Sequence, residues 1–271
     1  MADRVDSFPA IFSRHAASYA KRQDEIMAAR ESPARQAALE WVKARPGMVI
    51  LDLGCGPGTL TLPLARAIEG EGEVVGIDLA EGMLEVARRR AGNLPVRFLH
   101  MDAATLQFPA QHFDAAICGH SLQFLVQTER ALREIHRVLK PQGRFAASIP
   151  FRTEPHPALQ AVLEALDSEL GEPAPEPPRA ELVRDPERLQ RALIGSGFRF
   201  AQVSQVLAGE EVGPEFIERE FDWWGNARRL EGVPVEVRQR IRERATAAVD
   251  QAMASDPGPI RMTELVVKAT A

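Results

Sequence analysis

The sequence is poor in cysteine, in positive charge and in long apolar runs, and each shortage excludes a class of protein. Its 271 residues include only two cysteines, Cys55 and Cys118, which lack metal-ligand spacing, so we expect a reduced, cytoplasmic protein without a metal site. The net charge of −5 disfavours a nucleic-acid partner. No apolar run approaches the roughly 20 residues of a membrane span, and we expect no signal peptide.

What the sequence does contain is an alternation of short apolar runs with amphipathic segments. Five strand-like runs, from "MVILDLG" to "RFAASIP", are separated by helix-like stretches, a pattern typical of a parallel sheet covered by helices. Before them, "DEIMAARESPARQAALEWVKA" predicts one helix that ends at Pro46-Gly47. After Pro150 come a helical segment, the proline-rich connector "EPAPEPPRAE", and a helix that opens at Asp185.

Two more strand-like runs, "FRFAQVSQVLA" and "RMTELVVKATA", flank a polar helical region over residues 209–260. Because these runs are far apart in sequence, we expect them to pair antiparallel at one edge of the sheet. The sequence thus predicts an α/β fold with a Rossmann-like, doubly wound, seven-stranded sheet. This sheet is mostly parallel, with one antiparallel edge strand and helical cap insertions.

The stretch "VILDLGCGPGTLTLPLA" places Gly54, Gly56 and Gly58 between a buried strand and a helix. Glycine lets the backbone turn sharply and approach a ligand closely, and the helix directs its first N–H groups toward that ligand. The alternative is a tight turn that binds nothing. Asp78 ends the second strand, about 20 residues further on, where an acidic side chain contacts ribose hydroxyls in nucleotide-binding folds. Its alternative role is to cap the next helix.

The glycine spacing and the carboxylate of Asp52 indicate which nucleotide binds. The pattern is G-x-G-x-G, whereas dinucleotide-binding folds carry G-x-G-x-x-G. A carboxylate two residues before Gly54 would repel a pyrophosphate, but it would attract the ammonium and sulfonium of S-adenosylmethionine. We therefore predict this cofactor, with a nicotinamide-dependent oxidoreductase as the alternative. A structural Asp52, accepting hydrogen bonds from the loop, is the other interpretation.

The third strand and the second helix offer further contacts for the nucleoside. Asp102 leaves the third strand where it could accept a hydrogen bond from the adenine amino group, or it could stabilise a turn. Leu79, Met83 and Ala103 offer apolar surface to the adenine faces, although simple helix packing also explains Met83.

Four segments resemble, in order, the motifs of class I S-adenosylmethionine-dependent methyltransferases, especially the ubiquinone and menaquinone biosynthesis branch. They are "VILDLGCGPGTLTLPLA", "VVGIDLAEGMLEVAR", "FLHMDAATLQFP" and "FDAAICGHSLQFLVQTERALREIHRVLKPQGRFAAS". The resemblance covers about residues 10–150. It implies cofactor contacts at Gly54, Cys55, Gly56, Asp78, Leu79, Asp102, Ala103 and His120. It also implies that Tyr19, in "FSRHAASYAKRQ", faces the cofactor.

The chain departs from the family pattern in two places. Lys-Pro-Gln-Gly stands where the family has Lys-Pro-Gly-Gly, and the region after Pro150 matches no family pattern. The expected organisation has five parts. They are an N-terminal helical segment that closes over the cofactor (1–47), the cofactor-binding core (48–150), an insertion with the end of the sheet (151–208), a helical substrate cap (209–260) and the final strand (261–271).

Methyl transfer by direct in-line displacement needs positioning and the exclusion of water. His120, which follows the fourth strand, is the candidate general base; alternatively, it only lines the cofactor or caps a helix. Trp223 and Trp224 are candidates for a wall that stacks on an apolar acceptor, with packing against the core as their alternative.

We therefore predict a methyltransferase that acts on an oxygen, nitrogen or carbon of a small-molecule acceptor. A non-catalytic S-adenosylmethionine-binding protein is the main alternative, and the nicotinamide-dependent oxidoreductase is less favoured. A nucleic-acid methyltransferase would carry an Asn/Asp-Pro-Pro-aromatic motif where this chain has "CGHSLQF". We expect a monomer or a homodimer without a membrane span, and the sequence leaves the acceptor open.

Overall fold

The computed structural model describes residues 7–173 and 179–271, with the side chain of Trp224 left out. The centre of the predicted proline-rich connector, residues 174–178, lies outside these ranges.

A single seven-stranded sheet forms the centre of the described chain. Its strands are β1 (Val49–Leu53), β2 (Glu73–Asp78), β3 (Val96–His100), β4 (Phe113–Gly119), β5 (Leu139–Thr153), β6 (Phe200–Glu210) and β7 (Ile260–Thr270). They are arranged in the order β3-β2-β1-β4-β5-β7-β6, and the pairs among β1 to β5 are parallel. The predicted seven-stranded, Rossmann-like sheet is confirmed.

The last two strands pair with each other antiparallel, as predicted. Strand β7 also runs antiparallel to β5, so it lies one position in from the edge and β6 forms the edge itself. Strand β7 is therefore hydrogen-bonded on both sides, to β5 and to β6.

Eleven α-helices lie within the described residues. They are α1 (Phe8–Arg14), α2 (Ala16–Ala29), α3 (Pro33–Val42), α4 (Thr61–Ala67), α5 (Glu81–Ala91), α6 (Thr128–Val138), α7 (Pro157–Leu170), α8 (Pro186–Gly195), α9 (Phe216–Asp222), α10 (Trp224–Arg229) and α11 (Val235–Ser255). Among them, none combines the length and the apolar character needed to cross a membrane.

Local sequence explains where several helices begin and end. Helix α8 begins after Asp185, whose carboxylate accepts a hydrogen bond from the Arg188 N–H, a common N-cap arrangement. The prediction of one helix across "DEIMAARESPARQAALEWVKA" is wrong, because α2 ends at Ala29 and α3 starts at Pro33. Proline has no N–H for the preceding turn and is tolerated only at a helix start.

The sheet and the later helices are buried in two different hydrophobic clusters. Strand residues such as Leu51, Val75 and Phe145 are buried in the main core between the sheet and its helices. A second cluster joins α7 to α9 and α11, with Val162, Phe216 and Ile241 buried among its members. The helices over 209–260 therefore pack chiefly on α7 and bury an apolar core of their own.

Candidate functional site

A cavity of about 450 Å³ opens at the carboxyl ends of β1, β2 and β4. The parallel strand order reverses between β1 and β4, and ligands bind at such a point in open α/β sheets because the connecting loops diverge there. Its lining includes Tyr19, Gly54, Gly56, Asp78, Leu79, Met83, Ala103 and His120. The structure thus brings together residues from five separate parts of the sequence.

The glycine loop after β1 passes close to the loop after β4. Gly54 has φ +63°, and a Cβ atom added there would lie 2.4 Å from the Ser121 Cβ. Any larger residue would therefore force the two loops apart. Gly56, with φ +54°, has no atom within 4 Å of such a Cβ, because it borders the cavity.

Asp78 connects the glycine loop to helix α5. One carboxylate oxygen accepts from the Gly56 N–H and the other from the Ala80 N–H, both at 2.8 Å. Burial raises the pKa of Asp78, although these two hydrogen bonds act to lower it. Each oxygen of a carboxylate has two acceptor positions, so Asp78 keeps capacity for hydroxyl groups of a ligand.

Asp52 and Arg35 are two buried ionisable residues outside the cavity lining that interact electrostatically with each other. Asp52 is 1% exposed and Arg35 is 3% exposed. One Asp52 oxygen accepts from the Thr61 hydroxyl at 2.6 Å, and the Arg35 guanidinium lies close enough to the Tyr19 hydroxyl to affect its pKa. Within the described ranges, Asp52 Oδ1 and Arg35 Nε have no hydrogen-bond partner. Buried polar atoms are normally paired, so this pair has unused capacity.

Burial sets the protonation behaviour of both groups. It raises the pKa of Asp52 to about 7, with further repulsion from Asp78, and it lowers the pKa of Arg35. An anion near Arg35 and a cation near Asp52 would reverse both shifts, because each would favour the charged form. The carboxylate and ammonium of an amino acid are such a combination, and they form one end of S-adenosylmethionine. The donor set therefore fits that cofactor.

Both the backbone and the side chain of His120 are fixed by the surrounding structure. Its φ is +55°, its backbone N–H donates to the Ser148 carbonyl at 2.9 Å, and its Nε2 lies 2.9 Å from Glu264 Oε1. Burial, with the nearby charge of Arg35, lowers the pKa of His120 to about 4. The imidazole is therefore neutral at pH 7.

Aromatic side chains form one wall of the cavity. Phe8 packs against Phe124 with ring centroids 4.4 Å apart, and Phe12 packs edge-on against Tyr19 at 5.4 Å. Val126, at the same wall, is 71% exposed. This side of the cavity suits a flat, apolar molecule, since aromatic faces bind other rings by stacking or edge contacts.

Four other predicted residues lie near the cavity but are not part of its lining. Asp52 and Cys55 are buried under the loop, and burial raises the pKa of the Cys55 thiol. Asp102 accepts from the Ala104 N–H at 2.8 Å, which is the turn-stabilising interaction that the sequence left open. Trp223 lies with its ring 6.4 Å from that of Tyr19. The side chain of Trp224 is outside the described part.

Sequence reasoning missed Arg35, Glu264 and the aromatic wall. Glu264 carried one available signal, because it is a lone acid beside an apolar run, "LVV", where a buried charge requires partners. Arg35 carried no such signal, since an arginine in an amphipathic helix is usually expected on the solvent-facing side. Only the packing of α3 against β5 and β7 distinguishes it.

Comparison with known proteins agrees with this geometry. A family profile described as "Methyltransferase domain" matches residues 50–143. A 2-phytyl-1,4-naphtoquinone methyltransferase from Thermosynechococcus vestitus is 36% identical over 159 residues, which cover 58% of this chain and 69% of that one. A demethylmenaquinone methyltransferase from Symbiobacterium thermophilum is 45% identical over 114 residues, covering 40% of this chain and 45% of that one.

Among solved structures, the YcgJ protein from Bacillus subtilis matches with a TM-score of 0.55 and 22% identity, over 88% of this chain and 97% of that chain. This likeness shows a shared fold. The matched segments span only 62 and 69% of the length of two 2-phytyl-1,4-naphtoquinone methyltransferases, from Nostoc and from Thermosynechococcus vestitus. Together with the glycine loop, the sheet order and the sequence identity, these matches lead to one conclusion. The chain belongs to the class I S-adenosylmethionine-dependent methyltransferases, in the branch that includes the quinone methyltransferases.

Proposed function

We propose that this protein transfers the methyl group of S-adenosylmethionine to an apolar, aromatic small molecule, with a quinol as the leading class. Two of its relatives are named as methyltransferases of a naphthoquinone and of demethylmenaquinone, and quinols are the reduced forms of such quinones. The aromatic wall formed by Phe8, Phe12 and Phe124 supports a flat, apolar acceptor. When bound, the cofactor supplies an electrophilic methyl group that a nucleophile can displace in line.

The unpaired atoms of Asp52 and Arg35 carry the proposal. In it, Asp52 pairs with the ammonium of the cofactor and Arg35 with its carboxylate. Burying an unmatched polar group costs about 1–3 kcal/mol, so both residues gain stabilisation when such partners arrive. A pyridine dinucleotide has no amino-acid end and would leave both atoms unpaired.

The remaining cofactor contacts follow the predicted residues. In the proposal, the backbone of Gly54, Cys55 and Gly56 faces the amino-acid end, and Asp78 accepts from the ribose hydroxyls. The adenine lies between Leu79, Met83 and Ala103, with Asp102 at its amino group. Tyr19 closes over the cofactor and, through its electrostatic interaction with Arg35, connects the N-terminal segment to the amino-acid subsite.

His120 is the proposed general base. A neutral imidazole at the cavity wall can remove a proton from an acceptor hydroxyl group, which makes the acceptor a better nucleophile. In the proposal, residues 1–47 and the cap over 209–260 exclude water from this cavity. Trp223, beside Tyr19, contributes to the acceptor side of that enclosure.

Isothermal titration calorimetry tests the cofactor assignment. We expect the purified protein to bind S-adenosylmethionine and S-adenosylhomocysteine, and to give no heat with NADPH. Arg35→Leu should weaken S-adenosylmethionine binding at least tenfold, while Arg191→Leu, at an exposed position of α8, serves as the control. Binding of NADPH alone would contradict the proposal.

A methyl-transfer assay with radiolabelled cofactor tests the acceptor class. We expect incorporation into a reduced demethylnaphthoquinone, and none into polar amines such as histamine. Trp223→Ala should raise the KM of that acceptor without changing cofactor affinity. Tight cofactor binding with no transfer to any aromatic acceptor would support the non-catalytic alternative instead.

A further inference from the structure

We infer that Glu264 is a positioning residue for His120, fixing which ring nitrogen accepts a proton during methyl transfer. The inference rests on the proposed function, because it assigns His120 a role in the reaction. The observation that carries it is the 2.9 Å contact between His120 Nε2 and Glu264 Oε1, both side chains being almost fully enclosed. Glu264 lies on β7, more than 140 residues away in sequence, and nothing in the loop after β4 indicates it.

The carboxylate of Glu264 is fixed by donors other than His120. It accepts hydrogen bonds from the Ser32 hydroxyl at 3.0 Å and from the Ala34 N–H at 3.0 Å, at the first turn of α3. The partial positive charge of a helix N-terminus stabilises an anion there. Although burial raises it, these hydrogen bonds and the one with His120 hold the pKa of Glu264 below its usual value. The group is therefore an anion with a fixed orientation.

An ionised carboxylate can only accept hydrogen bonds, so the proton of the neutral imidazole must reside on Nε2. The lone pair then resides on Nδ1, which is the only ring nitrogen left to accept a proton. A second partner fixes the histidine backbone, since Gln123 Nε2 donates to the His120 carbonyl at 2.8 Å. The left-handed φ of His120 is unfavourable for a residue other than glycine, and such strain is often found at functional sites.

In the proposed reaction, proton transfer to His120 accompanies the attack of the acceptor on the methyl group. An O–H bond of the acceptor breaks, its proton moves to Nδ1 of His120, and its electron pair stays on the acceptor. That pair forms the bond to the methyl carbon while the sulfur keeps the pair of the broken S–C bond. The imidazolium formed has a carboxylate at hydrogen-bond distance, which stabilises the new charge in a dry environment. Water later removes the proton.

The alternative role of Glu264 is purely structural, as a cap for α3. Ser32 makes no side-chain hydrogen bond to the helix, and the Glu264 carboxylate accepts from the Ala34 N–H in its place. A cap alone would affect stability, but it would affect neither the tautomer of His120 nor the proton-transfer step. These two readouts therefore separate the roles.

Ring-nitrogen NMR of the wild-type protein is the first test and needs no variant. We expect His120 to carry its proton on Nε2 across pH 6 to 8. In Glu264→Gln, which keeps the size but loses the charge, we expect a shift toward a mixture of tautomers. Finding the proton on Nδ1 in the wild type would overturn the inference.

Kinetics supply the second test. Glu264→Gln should lower kcat by about 10- to 100-fold, as losses of such orienting partners do, with cofactor affinity within about twofold of wild type by calorimetry. His120→Asn removes the base while tolerating a left-handed backbone. Because the residues act as a unit, the double variant should be no slower than His120→Asn alone. Glu187→Gln, which makes the same change at an exposed position of α8, is the matched control and should keep kcat within twofold of wild type.

The outcomes distinguish this inference from the proposed function. Full kcat and an unchanged tautomer in Glu264→Gln would overturn the positioning role while leaving methyl transfer intact. Additive losses in the double variant would also overturn it. If Glu264→Gln does not fold, Glu264→Asp replaces it, and intermediate kcat is expected because the charge is kept but lies further away. Absence of cofactor binding in the wild type would instead refute the proposed function.

Discussion

Asp52 is a residue at which binding and stability oppose each other. It is a buried carboxylate with one unpaired oxygen and a pKa raised from about 3.8 to about 7. Because the folded pKa exceeds the unfolded one, its contribution to stability is complete below about pH 4 and is lost as the pH rises through 7. The same unpaired oxygen is available to a cationic ligand.

Asp52→Asn should therefore stabilise the ligand-free protein at pH 8, by up to about 4 kcal/mol, and leave it unchanged near pH 4. It should also weaken S-adenosylmethionine binding. Urea denaturation across this pH range measures the first effect and calorimetry the second. Asp250→Asn, on the exposed surface of α11, is the control and should follow the wild-type curve. A destabilised Asp52→Asn at pH 8 would contradict the assignment.

Gln142 stands where the family turn has glycine, and its backbone is left-handed with φ +67°. Its N–H donates to the Ala271 carbonyl at 3.1 Å, which any residue can do. We expect Gln142→Gly to raise the free energy of unfolding by up to about 1 kcal/mol, because only glycine adopts this conformation without strain. Thermal denaturation measures the gain. Gln142→Ala should give no gain, since alanine has the same Cβ clash.

At the scale of elements, the N-terminal helix α1 lies against the start of α5 because Gly82 has no side chain. A Cβ added at Gly82 would lie 2.3 Å from the Ser13 carbonyl oxygen, and the Gly82 N–H donates to the Ser13 hydroxyl. Helix α1 in turn carries Phe8 and Phe12 to the aromatic wall of the cavity.

Gly82→Ala should displace α1 and open that wall, while the sheet stays folded. We expect faster hydrogen exchange in α1 and at least a tenfold loss of acceptor or cofactor affinity. Gly195→Ala, at a helical site with nothing within 4 Å, is the matched control and should change neither. If Gly82→Ala binds both ligands normally, α1 does not close the cavity.

At the scale of the whole molecule, a buried ion-pair cluster joins the N-terminal segment to the later helices. Arg22 on α2 lies 2.7 Å from Glu210 at the end of β6, and Arg219 on α9 lies 3.2 Å from the same carboxylate. Arg22 and Glu210 are 6% and 8% exposed, so solvent screens the cluster weakly. The cluster thus joins α2 to the end of β6 and to α9.

Arg22→Leu should destabilise the protein by about 3–5 kcal/mol, because it leaves a buried carboxylate with one fewer partner. The exposed pair Arg242–Glu218 provides the control, and Arg242→Leu should cost less than about 1 kcal/mol. Urea denaturation measures both. Equal effects would show that the Arg22 cluster is solvated in solution.

The sequence predicts much of this fold because the dominant forces act along the chain. Runs such as "VILDL" and "EVVGID" must be buried strands, and Gly54 and Gly56 must be turns, whatever surrounds them. It failed at Pro33, where a break between α2 and α3 was missed because the apolar spacing continues through it. The sequence also left Asp102 two possible roles. The hydrogen bond that Asp102 accepts from the Ala104 N–H shows that it stabilises the turn.

The sequence by itself determined the alternation of strands and helices, the glycine loop and the carboxylates at the strand ends, because these depend on local periodicity and backbone freedom. Only the tertiary structure decided that Arg35 lies beside Asp52, that Glu264 contacts His120, and that Phe8 and Phe12 form a wall. Those contacts join residues far apart in the chain. Their electrostatic strength depends on burial, which no segment of sequence specifies until the segments are packed together.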